Sequence, residues 1–303
     1  MGVYKTMTES DDPMQPELPP TIWREHRLDW GAKTYVMGIL NITPDSFAGD
    51  GIAGETLSQD EIVQRAVRQA HNFVAEGATL IDVGGESTRP HFEPISPELE
   101  LRRVLPVIRS LYAALPGEVL ISIDTYKAEV ARQALDAGAC IINDIWGLRR
   151  DPQMAALASE RGVPVVVMAN MRGYQKHEIV SDVIRFLSGS IDLALAAGVA
   201  WERIIIDPGI GFGTTPQENL TLLRRLGELR ALARPILLGA SRKSTIGRVL
   251  GGLPPNERVE GTAATVALGI AQGADIVRVH DVHEMARVAK MSDAIVRGMP
   301  GLE

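Results

Sequence analysis

The amino-acid sequence predicts an α/β fold, a single (β/α)8 TIM barrel with long loops after its strands and a short N-terminal tail. Three observations carry this expectation. Eight short apolar runs, rich in Val and Ile, alternate with intervals of helical periodicity, as a parallel barrel requires. The runs lack consistent polar alternation, which fits strands covered on both faces. Nearly every run also ends on a polar or charged residue that a buried strand does not need. In such barrels the chemistry sits at the C-terminal strand ends, where these residues fall.

The elements follow in order. Residues 1–25 read as a flexible tail, polar and punctuated by Pro13, Pro16, Pro19 and Pro20, a composition that cannot bury much. The barrel is assigned to 26–303, with 28–31 leading into the first strand. That strand, 35–40, ends at Asn41. The interval 61–76 carries Ile62, Val63, Ala66, Val67, Ala70, Phe73 and Val74 at helical spacing, with Gly77 as its stop. The second strand ends at Asp82, ahead of Gly84, Gly85 and Glu86, and a helix is expected over 99–115. The third strand, 119–123, ends at Asp124, and the fourth at Asn143 and Asp144. The fifth, 163–169, ends at Asn170, and a helix over 183–197 stops at Gly198. The sixth, 204–206, ends at Asp207. The seventh, 236–240, ends at Ser241, Arg242 and Lys243. A helix over 262–272 stops at Gly273, and the last run carries Arg278 with His280. Three long loops, 41–57, 84–97 and 208–216, all follow strand ends, as a barrel's active face demands.

Bulk properties narrow the classes. The chain has 303 residues, and roughly 250 suffice for one barrel, so one domain plus a tail is expected. The net charge is −7, from 31 basic and 38 acidic residues, with no basic stripe, which argues against nucleic acid as a partner. No apolar run approaches the roughly 18 residues of a membrane helix. The start of the chain lacks a signal-like apolar stretch, so a cytoplasmic protein is expected. The single Cys140 excludes an intrachain disulfide and reads as a small core residue.

The strand ends form two constellations. Asp124, Asn143, Asp207 and Lys243 could converge on one pocket, where two carboxylates and an amide suit an aminopyrimidinone edge. Charge-assisted hydrogen bonds of that kind contribute roughly 1.5–3 kcal/mol each. The plainer alternative is that each residue caps the helix that follows. Asn41, Arg89, Arg278 and His280 make the second set. Arginine matches phosphate oxygens as a planar fork, histidine donates without full charge, and an Asn carbonyl is a hard ligand suited to Mg²⁺. Arg278 interrupts an otherwise apolar run, which favours an anion site over a surface ion pair.

At these residues the chain resembles the dihydropteroate synthase family. The carrying stretches are Val36-Met-Gly-Ile-Leu-Asn-Ile-Thr-Pro-Asp-Ser-Phe47, Asp82-Val-Gly-Gly-Glu-Ser-Thr-Arg-Pro90, Ser122-Ile-Asp-Thr125 and Ile142-Asn-Asp144. They continue through Asp207-Pro-Gly-Ile-Gly-Phe-Gly213, Ser241-Arg-Lys-Ser244, Gly261-Thr-Ala-Ala264 and Arg278-Val-His-Asp281. The resemblance implies a pterin-binding barrel that condenses 6-hydroxymethyl-7,8-dihydropterin pyrophosphate with p-aminobenzoate, with Mg²⁺ as cofactor and a homodimer as assembly. It implies that Asp124, Asn143, Asp207 and Lys243 bind the pterin. Asn41, Thr88, Arg89, Arg278 and His280 would bind the pyrophosphate, with Asn41 the metal-linked position. Thr88, Pro90, Phe212, Ser241 and Lys243 would meet p-aminobenzoate, and Asp45, Phe47 and Arg89 belong to the loops resembling the family's lid. Asp124, Lys243, Arg278 and His280 carry the catalytic expectation.

The chain departs from the family's usual pattern at Thr214 in place of lysine, at Ala169–Asn170 in a Met-His-Met stretch, at Thr245 in place of an aromatic, and at His91. A methyltetrahydrofolate-dependent corrinoid methyltransferase would share Asp124, Asn143 and Asp207 but has no need of Ser241-Arg-Lys243 or Arg278-x-His280. A Schiff-base aldolase would use Lys243 as nucleophile, and a non-catalytic pterin-binding protein would have lost the anion site.

Overall fold

The computed structural model describes residues 18–43, 52, 57–87 and 93–298. Among them, a two-stranded antiparallel hairpin, β1 (Thr21–Trp23) and β2 (His26–Leu28), precedes eight parallel strands. These are β3 (Tyr35–Asn41), β4 (Leu80–Gly84), β5 (Leu120–Asp124), β6 (Ile141–Asp144), β7 (Val165–Met168), β8 (Ile204–Asp207), β9 (Leu237–Leu238) and β10 (Ile276–Val279). Their order around the sheet is β8-β7-β6-β5-β4-β3-β10-β9. A parallel bridge between Ile206 and Ile236 and a bond from Ile206 N to Pro235 O of 2.9 Å join its two ends, so the barrel closes.

The strands form because runs of Val, Ile and Leu are covered by helices outside and by one another inside. β4 and β6–β8 are buried along their whole length. The helices include α1 (Gln59–Ala75), α2 (Pro97–Ala114), α3 (Ala128–Asp136), α4 (Met154–Arg161), α5 (Ile179–Ala196), α6 (Pro216–Arg224), α7 (Ser244–Val249), α8 (Val259–Ala271) and α9 (Val282–Val296). Local signals start several of them. Ser58 and Glu61 form a reciprocal capping box at α1, and Thr215 and Glu218 form another at α6, where Pro216 takes the first helical position. The stops expected at Gly77, Gly198 and Gly273 each fall two residues beyond the last helical residue of α1, α5 and α8. Cys140 is buried in the core.

The expected tail ends earlier than residue 25. Thr21 and Trp23 are buried, β1 pairs with β2, and Trp30 Nε1 donates to Thr21 Oγ1 at 3.1 Å. Thr21 Oγ1 in turn donates to the carbonyl of Glu202, just before β8. The hairpin therefore packs against the N-terminal ends of the strands, opposite the face that carries the polar strand ends. Apolar residues hidden in a proline-punctuated segment have no periodicity to reveal them, because three residues make too short a pattern.

Candidate active site

Strand register brings the polar residues into layers. Asp82 is paired with Ser122 across β4 and β5, and Gly84, Asp124 and Asn143 are aligned across β4, β5 and β6. Side chains two apart on a strand share a face, so Asp82 and Gly84, and Ser122 and Asp124, point into the barrel together. Arg278 reaches in from β10. Its Nε donates to Asp82 Oδ2 at 2.6 Å and its Nη2 to Asp124 Oδ2 at 2.7 Å. Asn143 Nδ2 donates to the same Asp82 oxygen at 3.0 Å. Asp82 is fully buried and ties three of the expected site residues into one network. It stood among the strand ends, yet sequence analysis gave it no role. Its signal was there: a carboxylate inside the apolar stretch from Leu80 to Val83, the same interruption that marked Arg278.

The structure divides the expected anion pair. Arg278 is bonded to two carboxylates in the barrel, whereas His280 Nδ1 lies 2.9 Å from Ser241 Oγ, which also accepts from the His280 backbone N–H at 3.2 Å. Ser241 thus belongs with His280. Between them Arg242, at a positive φ of 56°, turns away and forms an ion pair with Asp281. That outward turn leaves Ser241 and Lys243, on either side of it, to the site.

Burial dominates the electrostatics. It pushes the Asp124 carboxyl up to about 7, and the Arg278 guanidinium pulls in the opposite direction. It raises Asp207 to about 6, against the bond that Gly209 N donates to Asp207 Oδ1 at 2.7 Å. Burial and the nearby Arg278 lower Lys243 to about 8, while Asp207 and Asp124 hold its proton. Arg278 moves upward, because Asp82 and Asp124 outweigh its desolvation. Strongly shifted groups with specific charge partners mark functional sites more often than structural ones.

One wall of the site is aromatic. The Phe212 ring has Lys243 Nζ 4.3 Å and the Arg172 guanidinium carbon 5.0 Å from its centroid. The loop that carries Phe212 is held closely. A Cβ at Gly209 would come within 1.9 Å of the Ala169 carbonyl oxygen, and one at Gly213 within 2.3 Å of Arg172 N, and both residues have positive φ. Only glycine lets the backbone approach so near. Below the loop, Asn219 Oδ1 accepts from Gly211 N at 3.0 Å and from Thr214 Oγ1 at 2.6 Å, while its Nδ2 donates to Thr245 Oγ1 at 2.8 Å. Thr214 and Thr245, two of the departures noted in the sequence, are thus joined through one buried amide. Asn170, a third, is also buried and donates to the Ile145 carbonyl at 3.1 Å. Sequence analysis missed Arg172 and Asn219, because neither ends a strand.

A methyl group at Gly84 would lie 3.7 Å from both Asn41 Oδ1 and Asp124 Oδ2, so hard oxygen atoms flank that glycine. Among the described residues no group of three or more His, Cys, Asp or Glu is arranged to hold a metal. One amide oxygen beside a carboxylate fits a Mg²⁺ ion that is held largely by substrate phosphates, the usual habit of that ion. Thr88, Arg89 and Pro90, and the lid positions Asp45 and Phe47, lie outside the described residues.

The capping alternative does not hold for the strand-end residues. The N-caps of α3, α4, α6 and α7 are Lys127, Gln153, Thr215 and Lys243. Of the four pocket residues only Lys243 is a cap by position, and it makes no side-chain capping bond.

Residues 37–280 match the model of a family described as pterin binding enzyme. The dihydropteroate synthase of Bacillus subtilis (strain 168) is 48% identical over 269 residues, which cover 89% of this chain and 91% of the relative. A crystal structure of dihydropteroate synthase from Clostridium difficile in the presence of pteroic acid has a TM-score of 0.82 and 47% identity, covering 89% of this chain and 99% of that one. A Xanthomonas albilineans dihydropteroate synthase with 4-aminobenzoic acid has a TM-score of 0.84 and 39% identity, covering 93% and 100%. The family match spans the barrel from its first parallel strand to its last, and the chain belongs to the dihydropteroate synthases of the pterin-binding enzyme family.

Proposed function

We propose that the pocket formed by Asp124, Asn143, Asp207 and Lys243 is where this dihydropteroate synthase holds its pterin, with Arg278 tying Asp124 and Asn143 together through Asp82, and that the flanking groups divide the reaction between them. The carrying observation is that Arg278 links Asp82 and Asp124 while Asn143 shares the Asp82 oxygen. Asp124, Asn143 and Asp207 would accept from and donate to the aminopyrimidinone edge, with Lys243 at its other side. His280, Arg278, Asn41, Thr88 and Arg89 would face the pyrophosphate. Phe212, Lys243, Ser241, Thr88 and Pro90 would face p-aminobenzoate.

In this reading the bond from the exocyclic methylene to oxygen breaks and its electron pair leaves with pyrophosphate. The bond from the arylamine nitrogen to that carbon forms, and the nitrogen's proton passes to solvent. The electron-rich dihydropterin spreads positive charge, and ionised Asp124 beside it favours that charge. The arylamine is neutral at pH 7, so a strong general base is unnecessary. Mg²⁺, held through Asn41 and the substrate's phosphates, would neutralise charge on the leaving group. A dissociative order is proposed: positional isotope scrambling in the pyrophosphate without arylamine supports it, and C–O cleavage that strictly requires arylamine overturns it.

The assembly proposed is a homodimer. α8 and α9, which pack against each other, leave Leu268, Met291 and Ile295 exposed at 65%, 62% and 72%, apolar side chains that a second copy would cover. Sedimentation at micromolar concentration as a single species of monomer mass would count against it. A cytoplasmic location without membrane or nucleic-acid partners is proposed on the charge of −7 and because no described helix is long and apolar enough to cross a membrane.

The direct test is pyrophosphate release from dihydropterin pyrophosphate, with and without p-aminobenzoate and Mg²⁺. Release that needs all three, with dihydropteroate formed in equal amount, is expected. Tight pterin binding without turnover would overturn the assignment of roles.

A further inference from the structure

A cavity of about 590 Å³ has Trp30, Arg234, Ile236, Ile270, Asp275 and Arg297 in its wall. Ile236 and Asp275 lie one residue ahead of β9 and β10, so it opens at the base of the barrel, opposite the polar strand ends. Arg234 is 2% exposed, and a guanidinium so deeply placed is ordinarily paired with an acid. Among the described residues no carboxylate lies within 4.0 Å of its nitrogens. Backbone carbonyls take two of them instead. Nε donates to Ala233 O and Nη1 to Trp201 O, while the guanidinium carbon stands 4.0 Å from the centroid of the Trp201 ring. Nη2 makes no hydrogen bond to any described residue. Burial lowers the Arg234 pKa to about 10, against the distant charge of Glu202.

Arg297, on the same wall, has a side chain 11% exposed. Its Nε pairs with Asp293 Oδ1 at 3.0 Å and its Nη2 donates to the Ala274 carbonyl at 2.9 Å, but Nη1 is buried with no partner. The nearby acids are already engaged. Asp293 accepts from Thr34 N and Thr34 Oγ1, each at 2.7 Å, and Asp275 Oδ2 accepts from Ile236 N at 3.0 Å. Burial pushes the Asp275 carboxyl up, against the pull of Arg297 and Arg230, and Arg230 adds a third positive charge to the wall.

We propose that this cavity is a second binding site, for a small organic oxyanion: a phosphate or carboxylate carried on a flat apolar group. The oxyanion would supply the counter-charge that Arg234 lacks and accept from its Nη2. Arg297, turning toward the cavity, would satisfy its orphaned Nη1. Water could accept from both nitrogens but would bring no charge. The apolar group has a matching wall in Ile236, Ile270 and Trp30, whose indole N–H is already given to Thr21 Oγ1 at 3.1 Å. The volume is that of a small-molecule site.

The test is hydrogen exchange of the full chain, read by mass spectrometry, with phenyl phosphate, benzoate or inorganic phosphate as the probe. Exchange should slow in 30–36, 232–238 and 270–276 with at least one aryl anion. Slowing by phenyl phosphate alone assigns the site to phosphates, and slowing by benzoate alone assigns it to carboxylates. Inorganic phosphate, lacking the apolar group, should need a higher concentration for the same effect. Slowing confined to mouth segments such as 122–126 and 241–244, or none at all, would overturn the proposal. In Arg234→Met the concentration that half-slows 232–238 should rise about tenfold or more, the loss of a charge-assisted bond. Arg234→Lys should recover part of it, and dihydropteroate formation should stay at the parent rate in both variants. An unchanged half-slowing concentration in Arg234→Met would also overturn the proposal. If Arg234→Met fails to fold, exchange in the parent chain still decides.

Discussion

Removing Arg278 is the sharpest test of the network. In Arg278→Gln, Asp82 loses the donor at 2.6 Å and Asp124 the donor at 2.7 Å, so two carboxylates on neighbouring strands are left with no guanidinium between them. Breaking a buried ion pair by removing one partner costs about 3–5 kcal/mol. At about 2 °C per kcal/mol for a chain of this size, the midpoint of thermal unfolding should fall by about 6–10 °C at pH 8. The cost must depend on pH, and the sign follows from Asp124. Its folded pKa, about 7, is raised from 3.8, so the stability it contributes is fully present below pH 3.8 and lost as pH rises through 7. Arg278 acts to lower that pKa, so its removal drives Asp124 further up and extends the loss to higher pH. The gap between parent and variant should therefore widen from pH 5 to pH 8. At pH 5, with Asp124 protonated, about 1–2 kcal/mol is expected from the lost hydrogen bonds. Urea unfolding of the substrate-free proteins at pH 5, 6.5 and 8 measures the gap. A cost below about 1 kcal/mol at pH 8, or a gap that is flat or narrows toward high pH, would refute the reasoning.

Three further outcomes are expected. Asp124→Asn should weaken pterin binding about tenfold or more, as loss of a charged acceptor does, and unchanged affinity in calorimetry would remove Asp124 from the pocket. Asn219→Leu, which takes away the buried amide that joins Gly211 N, Thr214 Oγ1 and Thr245 Oγ1 below the Phe212 loop, should cost about 1–3 kcal/mol in denaturant unfolding, and a cost near zero would mean the amide is not a structural bridge. Sulfonamides, which share the arylamine's shape, should compete with p-aminobenzoate in steady-state kinetics, and a noncompetitive pattern would place the arylamine elsewhere.

Much of the polar cluster at the strand ends is legible in the sequence. Asp124, Asn143, Asp207, Lys243 and Arg278 interrupt or end apolar runs, and a polar residue in such a place costs stability unless it has partners or a task. Their order along the chain, one per strand, also implied a common mouth once the barrel was inferred. Asp82 shows the limit of this logic. It was visible as a strand ending, but its importance comes from lying one layer below Asp124, where it bonds Arg278 from a residue 196 positions away in sequence. Arg172 and Asn219 show a second limit. Arg172 sits in a loop and Asn219 in a helix, positions where polar residues are ordinary, and only packing against Phe212 and Gly211 distinguishes them.

The sequence by itself determined the barrel, the identity of the strand-end residues and the family. All three rest on local information: hydrophobic period, turn residues and ordered motifs. Tertiary structure decided which of those residues touch. It drew Arg278 to Asp82 and Asp124, left His280 to Ser241, folded the hairpin of residues 21–28 under the barrel, and set two cations on one aromatic ring. Such pairings depend on strand register and loop closure over long separations, and a chain of side chains read in order carries no measure of either.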